Sequence, residues 1–425
     1  MYFYLSKKRL RFSALWLLVS LPELGWSLGL SFDDALNLAL QETPQLSANQ
    51  AQTEAARQLT TPAGELPDPQ LAVGVDNLPI QGGDSFSLSR DFMTMQRVGL
   101  MQAFPNGAKL DARVAAAENR VALAEAQTRL SRLQVLQETA VAWINRHALE
   151  QQLAVLNGLE QENHLFERAV LAKYSGGAGM TSELLTPRQE AALIAERRDE
   201  LNSQLAMALA QLKRWIGSAA NQPLNGDIPN WPITPESLAH GLHRHPELDL
   251  FDPKTRILDA EVAEAKAEKI PDWALQLAYQ RRGPAYSDMV SLQVSVDLPI
   301  FAGSRQDPKL AAKLAERAAL ADERKAALLE HGAMLESALA EHQRLAQAVQ
   351  RSREVIVPLA AEKVTLTLAD WRGNRADLAT LAAARRENIE AQLKAISLEN
   401  QRRQLAARLH YTYSEQTLSQ TEPQP

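Results

Sequence analysis

Histidines form the chain's most concentrated set of potential metal ligands. His240, His243 and His245 make an H-x-x-H-x-H pattern, and imidazole is a common ligand of divalent transition metals. His240 and His243 are three residues apart on a short predicted helix, whereas His245 precedes Pro246 and lies outside it. No carboxylate stands at a matching spacing. We therefore assign no metal site and no cofactor, and a metal site at these three histidines stays the less favoured alternative.

Signatures of catalysis are missing from the sequence. It has no G-x-S-x-G, no G-x-x-x-x-G-K-[ST], no H-E-x-x-H, and no G-x-G-x-x-G after a predicted strand. It contains no cysteine, which excludes thiolate zinc sites, cysteine nucleophiles, disulfides and an acylated lipoprotein cysteine. The 425 residues include 51 acidic and 45 basic side chains, so the net charge is −6 and disfavours general nucleic-acid binding. We expect neither an enzyme nor a partner of nucleic acid.

The N-terminus has the pattern of a secretory signal peptide over residues 1–27. Four basic residues between positions 7 and 11 precede the apolar run 12–21, and Gly25 and Ser27 stand at the −3 and −1 positions of a cleavage site. The apolar run is short for a membrane span, so an uncleaved anchor is the weaker alternative. No later stretch approaches 18 apolar residues. Export without a spanning helix leaves a soluble periplasmic protein, a secreted protein or an outer-membrane β-barrel.

The rest of the chain is predicted to be a duplication. Four segments recur in the same order, at offsets of 202, 204, 194 and 194 residues. They pair 31–44 with 234–246, 66–68 with 270–272, 103–105 with 297–299, and 179–184 with 373–378. The first repeat covers 28–216, a Pro/Gly-rich linker covers 217–234, the second repeat covers 235–414, and 415–425 form a disordered tail.

Each repeat contains two predicted strands, at about 70–77 and 97–104 and at about 273–280 and 289–298. Alternation in the last strand separates an apolar set of side chains from a polar set. Each strand is long enough to cross a bilayer when tilted. From alternation alone, a hairpin on a soluble core remains equally open. The apolar set is Val290, Leu292, Val294 and Val296, predicted to face lipid, and the polar set is Ser291, Gln293, Ser295 and Asp297, predicted to face a lumen.

Very long helices are predicted at about 108–174 and 309–371, with a kink at Pro358. The first would extend roughly 100 Å, more than a compact domain of this size can hold. A soluble coiled-coil rod is the alternative, but a rod has no use for isolated hairpins of membrane-spanning length. Four strands cannot close a membrane barrel, and open edges are not tolerated in lipid. Several copies must therefore join if the strands enter a membrane.

The layout and the two turn motifs at 174–185 (YSGGAGMTSELL) and 371–378 (WRGNRADL) resemble the TolC family of outer-membrane efflux ducts. The resemblance extends from residue 32 to about 414. Segments 67–71 (PDPQL), 77–80 (NLPI), 90–95 (RDFMTM) and 102–109 (QAFPNGAK) look like the branch that serves heavy-metal cation pumps of the cobalt–zinc–cadmium and copper type.

The resemblance implies a mainly α fold with a small transmembrane β part. It implies a homotrimer whose twelve-stranded barrel in outer-membrane lipid continues as a periplasmic α-helical barrel. Such a duct is a passive exit for an inner-membrane, proton-driven pump of the resistance-nodulation-division type, reached through a periplasmic adaptor. The expected cargo is heavy-metal cations, with organic-compound efflux as the alternative and an adaptor protein as a less favoured one.

The two turns would be the tips that dock the adaptor. The family often carries an acidic aperture residue six positions after the second-turn glycine, where this chain has Ala379. Asp377 is therefore the candidate aperture residue, with an ordinary solvated carboxylate as the more favoured reading. The predicted tip residues are Gly179, Met180, Thr181, Ser182, Gly373, Asn374 and Arg375.

Overall fold

The computed structural model describes residues 29–177 and 179–413. The predicted signal peptide (1–27) and the predicted tail (415–425) lie outside the described residues. The first half consists of α1 (Phe32–Glu42), α2 (Pro44–Gln58), α3 (Thr60–Ala63), β1 (Gln70–Asp76), β2 (Met95–Phe104), α4 (Gly107–Ser175), a 3₁₀ turn (Thr181–Leu185) and α5 (Thr186–Ile216).

The second half repeats this order after a 3₁₀ turn at Gly217–Asn221. Its elements are α6 (Pro235–Leu242), α7 (Pro246–Asp249), α8 (Phe251–Ala267), β3 (Trp273–Arg281), β4 (Met289–Val296), a 3₁₀ turn (Ala302–Ser304), α9 (Gln306–Arg351), a π-helical turn (Ser352–Ile356), α10 (Val357–Arg372) and α11 (Leu378–Tyr413). Among the described residues, none of these helices combines the length and apolar composition that a membrane-spanning helix requires.

The second long helix is interrupted where the sequence predicted a kink. The backbone hydrogen bonds of α9 give way to the wider pattern of the π-helical turn, and Pro358 occupies the first turn of α10. Proline has no N–H to donate to the carbonyl four residues earlier, so a regular α-helical ladder cannot continue through it. The wider turn absorbs this gap, and the chain continues as α10. The predicted helix 309–371 is therefore two helices, whereas α4 runs unbroken for 69 residues.

The four strands form one antiparallel sheet in the order β1-β2-β3-β4. The β2–β3 pair joins the two repeats, with Val98 opposite Tyr279 and Phe104 opposite Trp273. The rings of Phe104 and Trp273 stack with their centroids 4.2 Å apart. The strand ends differ slightly from the expected ones. In particular β4 ends at Val296, so that Asp297 and Leu298 follow the strand and the Asp297 N–H donates to the Asp272 carbonyl.

The largest buried cluster surrounds Trp143 in the middle of α4 and holds the predicted linker in place. Ile228 and Trp231 from that segment pack in this cluster. Arg146 is buried, and its Nη1 and Nη2 donate to the carbonyls of Ala220 and Gln222 at 2.7 and 2.8 Å. A buried guanidinium without such acceptors would carry a large desolvation cost. The first part of segment 217–234 is thus fixed against α4.

A polar junction fixes the sheet to the helices at the start of α4. The N–H and Nδ2 of Asn106 donate to Asp272 Oδ1 at 2.8 and 3.0 Å, and Asn106 Oδ1 accepts from the Lys109 N–H as the N-cap of α4. The Lys109 ammonium pairs with the other carboxylate oxygen. Partial burial alone would raise the pKa of Asp272, but the bonds from Lys109 and Asn106 outweigh burial and hold this pKa below its usual value.

Replacing Asp272 by Asn tests this junction. The variant keeps an acceptor for Asn106 but loses the charge opposite Lys109, so we expect a loss of about 1–2 kcal/mol in unfolding free energy at neutral pH. Because the folded-state pKa of Asp272 is depressed, this stabilisation is present above about pH 4 and is lost as the pH falls through the folded pKa. Urea unfolding in detergent, followed by tryptophan fluorescence, measures it.

The matched control is Asp322→Asn. Asp322 pairs with Lys325 on an exposed helix face, where an ion pair contributes below about 0.5 kcal/mol. A difference between Asp272→Asn and the parent protein that stayed constant down to pH 3 would contradict the charge assignment.

Candidate functional site

One face of the sheet is mainly apolar on all four strands, although β2 also places Gln96 and Gln102 on it. In the β3–β4 register, Val290, Leu292 and Val294 lie opposite Tyr279, Leu277 and Leu275. These side chains are not covered by any described element: Val290 and Leu292 are each 69% exposed. Such a continuous exposed apolar surface marks contact with lipid or with a partner. The same face carries Val296 and Trp273 at the sheet base, Val98 and Leu100 on β2, and Leu71, Val73 and Val75 on β1.

The opposite face carries mainly small and polar side chains, together with Met95, Met101 and Met289. Ser291, Gln293 and Ser295 lie there on β4, and Ser291 Oγ contacts Gln280 Oε1 on β3 at 3.1 Å. Asp297, predicted with this set, lies one residue beyond β4 at the base of the sheet. Both face assignments, lipid and lumen, stay predictions. The neighbouring strands contribute Ala72, Gly74, Gly99, Ala103, Ala274, Gln276 and Ala278 to this face.

The outer strands of the sheet are open. Within the described part of the chain, β1 pairs only with β2, and β4 pairs only with β3. Each therefore has a row of backbone N–H and C=O groups along its outer side without a strand partner. Such edges are templates for pairing with another chain.

The first interhelical turn begins with two glycines. The Gly176 N–H donates to the Ala172 carbonyl, and Gly177 has φ +78°, a left-handed conformation that ends helices and that glycine adopts at low cost. Met180 is 71% exposed, and its N–H donates to Glu183 Oε2 at 3.2 Å. Thr181 and Ser182 begin the 3₁₀ turn that leads into α5.

The second turn ends α10 by the same geometry. The Gly373 N–H donates to the Ala369 carbonyl, and Asn374 has φ +54°. Gly373 and Asn374 thus take the positions of Gly176 and Gly177, so the helix ends correspond at an offset of 197 residues. Within the turn motif, the predicted offset of 194 applies only to the residues after the helix end, such as Leu184 and Leu378. Arg375 Nε pairs with Asp370 Oδ1 at 3.1 Å and ties the shorter turn to α10.

Asp377 caps the start of α11. Its carboxylate accepts from the Thr380 hydroxyl at 2.5 Å and the Thr380 N–H at 2.8 Å, and these bonds lower the pKa of Asp377. The geometry gives this carboxylate a local capping role on an exposed turn. An additional role at an aperture stays a proposal.

The two turns lie at the same end of the molecule. Phe166 and Val170 near the end of α4 pack against Trp371, Leu378 and Leu381 around the second turn. The Lys173 ammonium lies 4.7 Å from the Trp371 ring centre. Far from this end, the sheet is attached to the start of α4, so the apolar face and the turns are separated by the length of the long helices.

The three sequence-adjacent histidines are not brought together. His240 is exposed, with Nδ1 2.8 Å from the Glu236 carbonyl, and His243 is exposed as well. His245 is 6% exposed, and its ring lies 4.0 Å from that of His331. Burial, with a smaller contribution from His331, lowers the pKa of His245 to about 4. No sequence pattern linked His331 to this cluster, because 85 residues separate it from His245 along the chain.

Comparison with known proteins gives no match to a protein-family model and none to a curated protein sequence. Solved structures do match. A membrane protein from Pseudomonas aeruginosa superposes with a TM-score of 0.78 at 16% identity, over 90% of both chains. CusC, described as forming a transmembrane channel, gives 0.75 at 14% identity over 91% of this chain and 93% of its own. The outer membrane protein VceC from Vibrio cholerae gives 0.74 at 17% identity over 90% and 96%.

The chain has the fold of outer-membrane channels. The TolC-like architecture predicted from the layout and turn motifs is confirmed at the level of the fold, and the matched proteins with a described function are channels rather than enzymes. At 14–17% identity, the likeness to these structures shows the fold alone and not the cargo.

Two adjacent substitutions on β4 test the faces of the sheet. We expect Val294→Arg to prevent recovery of the protein in the outer-membrane fraction, because a charge on a lipid face costs roughly 2–4 kcal/mol per copy at mid-depth. Ser295→Arg, one residue away on the polar face, serves as the matched control and leaves recovery near the parent level. Immunoblots of fractionated membranes measure both. Equal losses for the two variants would contradict the assignment.

Proposed function

We propose that this protein is the outer-membrane subunit of a tripartite efflux system, in which three copies form one continuous exit duct. The observation that carries the proposal is a four-stranded sheet with an exposed apolar face and two open edges. In lipid, every backbone N–H and C=O needs a partner within protein. Four strands are too few to close on themselves, whereas three copies supply twelve, within the range of membrane barrels.

The internal repeat indicates how one copy meets the next. Asp272 precedes β3. Its carboxylate binds Lys109 in the first turn of α4, the helix that follows the neighbouring strand β2. Asp68 precedes β1 in the same way, and Gly303-Ser304-Arg305 before α9 corresponds to Gly107-Ala108-Lys109. In a closed ring, β4 of one copy pairs with β1 of the next. Asp68 of one copy then meets Arg305 of the other.

Asp68 and Arg305, the charges at this predicted contact, are both exposed, and neither forms a salt bridge within the described part of the chain. The strands that they flank, β1 and β4, are at opposite edges of the sheet, three strand spacings or about 14 Å apart. A salt bridge between copies pairs Asp68 with Arg305, as Asp272 is paired with Lys109 within one chain.

Long helices with exposed apolar side chains support the same assembly. Leu329 on α9 is 75% exposed, and Leu359 and Leu366 on α10 are each 58% exposed. On α4, Leu165 is 58% exposed. Helices that form the wall of a tube need neighbours on both sides, and these residues suit contact with the helices of adjacent copies.

In the proposed system the duct is passive and takes its energy from an inner-membrane pump of the resistance-nodulation-division type. The turns around Gly179–Ser182 and Gly373–Arg375 dock a periplasmic adaptor, and three copies of Asp377 near the tips favour cations. The cargo we propose is heavy-metal cations, as the segments between 67 and 109 suggest. Organic compounds are the second candidate.

Engineered cysteines test the ring closure. We expect Asp68→Cys/Arg305→Cys, after mild oxidation, to give covalent species up to a trimer on non-reducing gels. The native chain has no cysteine, so every bond is an engineered one. A disulfide needs Cα atoms within about 7 Å, which the two edges of one sheet do not allow.

Asp68→Cys/Lys325→Cys is the matched control, since position 325 is equally exposed but lies on a helix. Only monomer from Asp68→Cys/Arg305→Cys, in protein recovered from the outer membrane, would contradict the proposed order of strands.

A deletion strain tests the function and its cargo. We expect loss of the gene to lower the minimal inhibitory concentrations of cobalt, zinc, cadmium or copper salts severalfold, and the parent gene to restore them. Complementation with the Val294→Arg variant is expected to fail, whereas Ser295→Arg restores resistance. Sensitivity to dyes and antibiotics alone would favour the second cargo. Unchanged sensitivity to both classes, in a strain shown to express the protein, would contradict an efflux role.

A further inference from the structure

The fold assembles a cluster of metal-binding side chains that is absent from the sequence pattern. One ligand atom each of His245, Glu247 and His331 lies within 4.8 Å of the other two. His245 is the N-cap of α7, Glu247 is in the first turn of that helix, and His331 belongs to α9. Two separate segments of the second repeat therefore supply the three groups.

The spacing of the groups suits one ion. His331 Nε2 and Glu247 Oε2 are 3.1 Å apart, and two ligand atoms bound tetrahedrally to zinc at 2.0–2.1 Å are separated by about 3.3 Å. His245 Nδ1 accepts the Glu247 N–H at 3.2 Å, so an ion bound at Nδ1 competes with that hydrogen bond, whereas an ion bound at Nε2 leaves it in place. Two imidazoles and one carboxylate are a common donor set for zinc.

The surroundings hold the ligands while leaving access. His245 is buried and His331 is nearly so, whereas the Glu247 side chain is 53% exposed. A cavity of about 400 Å³ borders all three and is also lined by Tyr413. The Tyr413 hydroxyl donates to the His331 carbonyl at 3.5 Å and the ring lies 5.5 Å from that of His245. Ligands fixed by packing, with an open side for entry and for a bound water, are features of a metal site.

We propose that His245, Glu247 and His331 bind one divalent first-row transition-metal ion, of which Zn²⁺ is the representative. The ion joins α7 to α9 beside the last turn of α11 and stabilises this part of the chain. An ion pair between His331 and Glu247 accounts for two of the groups but not for the second imidazole, which packs against that of His331 at a tilt of 33°. The proposal does not rest on the efflux role.

Titration calorimetry with ZnCl₂ on the full mature chain, purified in detergent without a polyhistidine tag, tests the site. We expect one ion per chain, and a rise in melting temperature on adding zinc. His331→Gln and the isosteric Glu247→Gln are expected to weaken binding by about tenfold or more and to abolish the rise. Circular dichroism of each variant without zinc verifies that it is folded.

Two controls separate this cluster from other histidines. His342→Gln changes another histidine of α9, and His243→Gln changes the neighbour of His245 in the sequence motif. Both are expected to bind zinc like the parent protein. Binding that is lost in His243→Gln but kept in His331→Gln, or no stoichiometric binding by the parent protein, would overturn the proposal. Neither result bears on the cysteine or deletion tests above.

Discussion

The hydrogen-bonding groups left open along β1 and β4 are the constraint on which the rest of the proposed assembly depends. A sheet with one exposed apolar face is stable in lipid only when its edges are closed. The chain cannot close them itself, because β1 and β4 stand at opposite edges of the sheet. The junction of Asp272 with Asn106 and Lys109 ties β3 to the start of α4. In the proposed assembly, Asp68 and Arg305 of neighbouring copies form the corresponding junction.

In the proposed assembly, the long helices extend the closed sheet into a long tube. Helix α4 packs on different partners along its course: α8 and α2 near the sheet, α1 and the segment 217–234 around Trp143, and α11 and α10 near the turns. No single helix face could serve all of them. Buried polar contacts fix particular points along the way. Arg146 anchors the middle, and the ion pair of Glu190 with Arg385, 3.2 Å apart, joins α5 to α11 closer to the turns.

The sequence predicted the features that arise from local periodicity. Alternation in residues 289–296 and the proline-free run of α4 depend on neighbours one to four positions away, which a sequence displays directly. Features that depend on distant residues were missed. Gly373 is equivalent to Gly176 rather than to Gly179 because of how each helix ends, which similarity of the two turn sequences does not show. His331 lies beside His245 only because α9 packs beside α7. The π-helical turn was predicted only as a kink at Pro358. Proline shows where the backbone hydrogen bonds of an α-helix are interrupted, but not which local conformation replaces them.

The two turns show where this channel fold is free to differ. They share the glycine-led helix ending, but the first is three residues longer and presents Met180, whereas the second is shortened and tied back by Arg375. The fold itself is shared at 14–17% identity with solved membrane proteins, so most of its positions accept different residues. Side chains such as Met180 at the turns are exposed, so they can change without disturbing the fold. In the proposed system, recognition of one pump and adaptor over another therefore belongs to the turns, while the sheet is constrained chiefly by the need to close its edges.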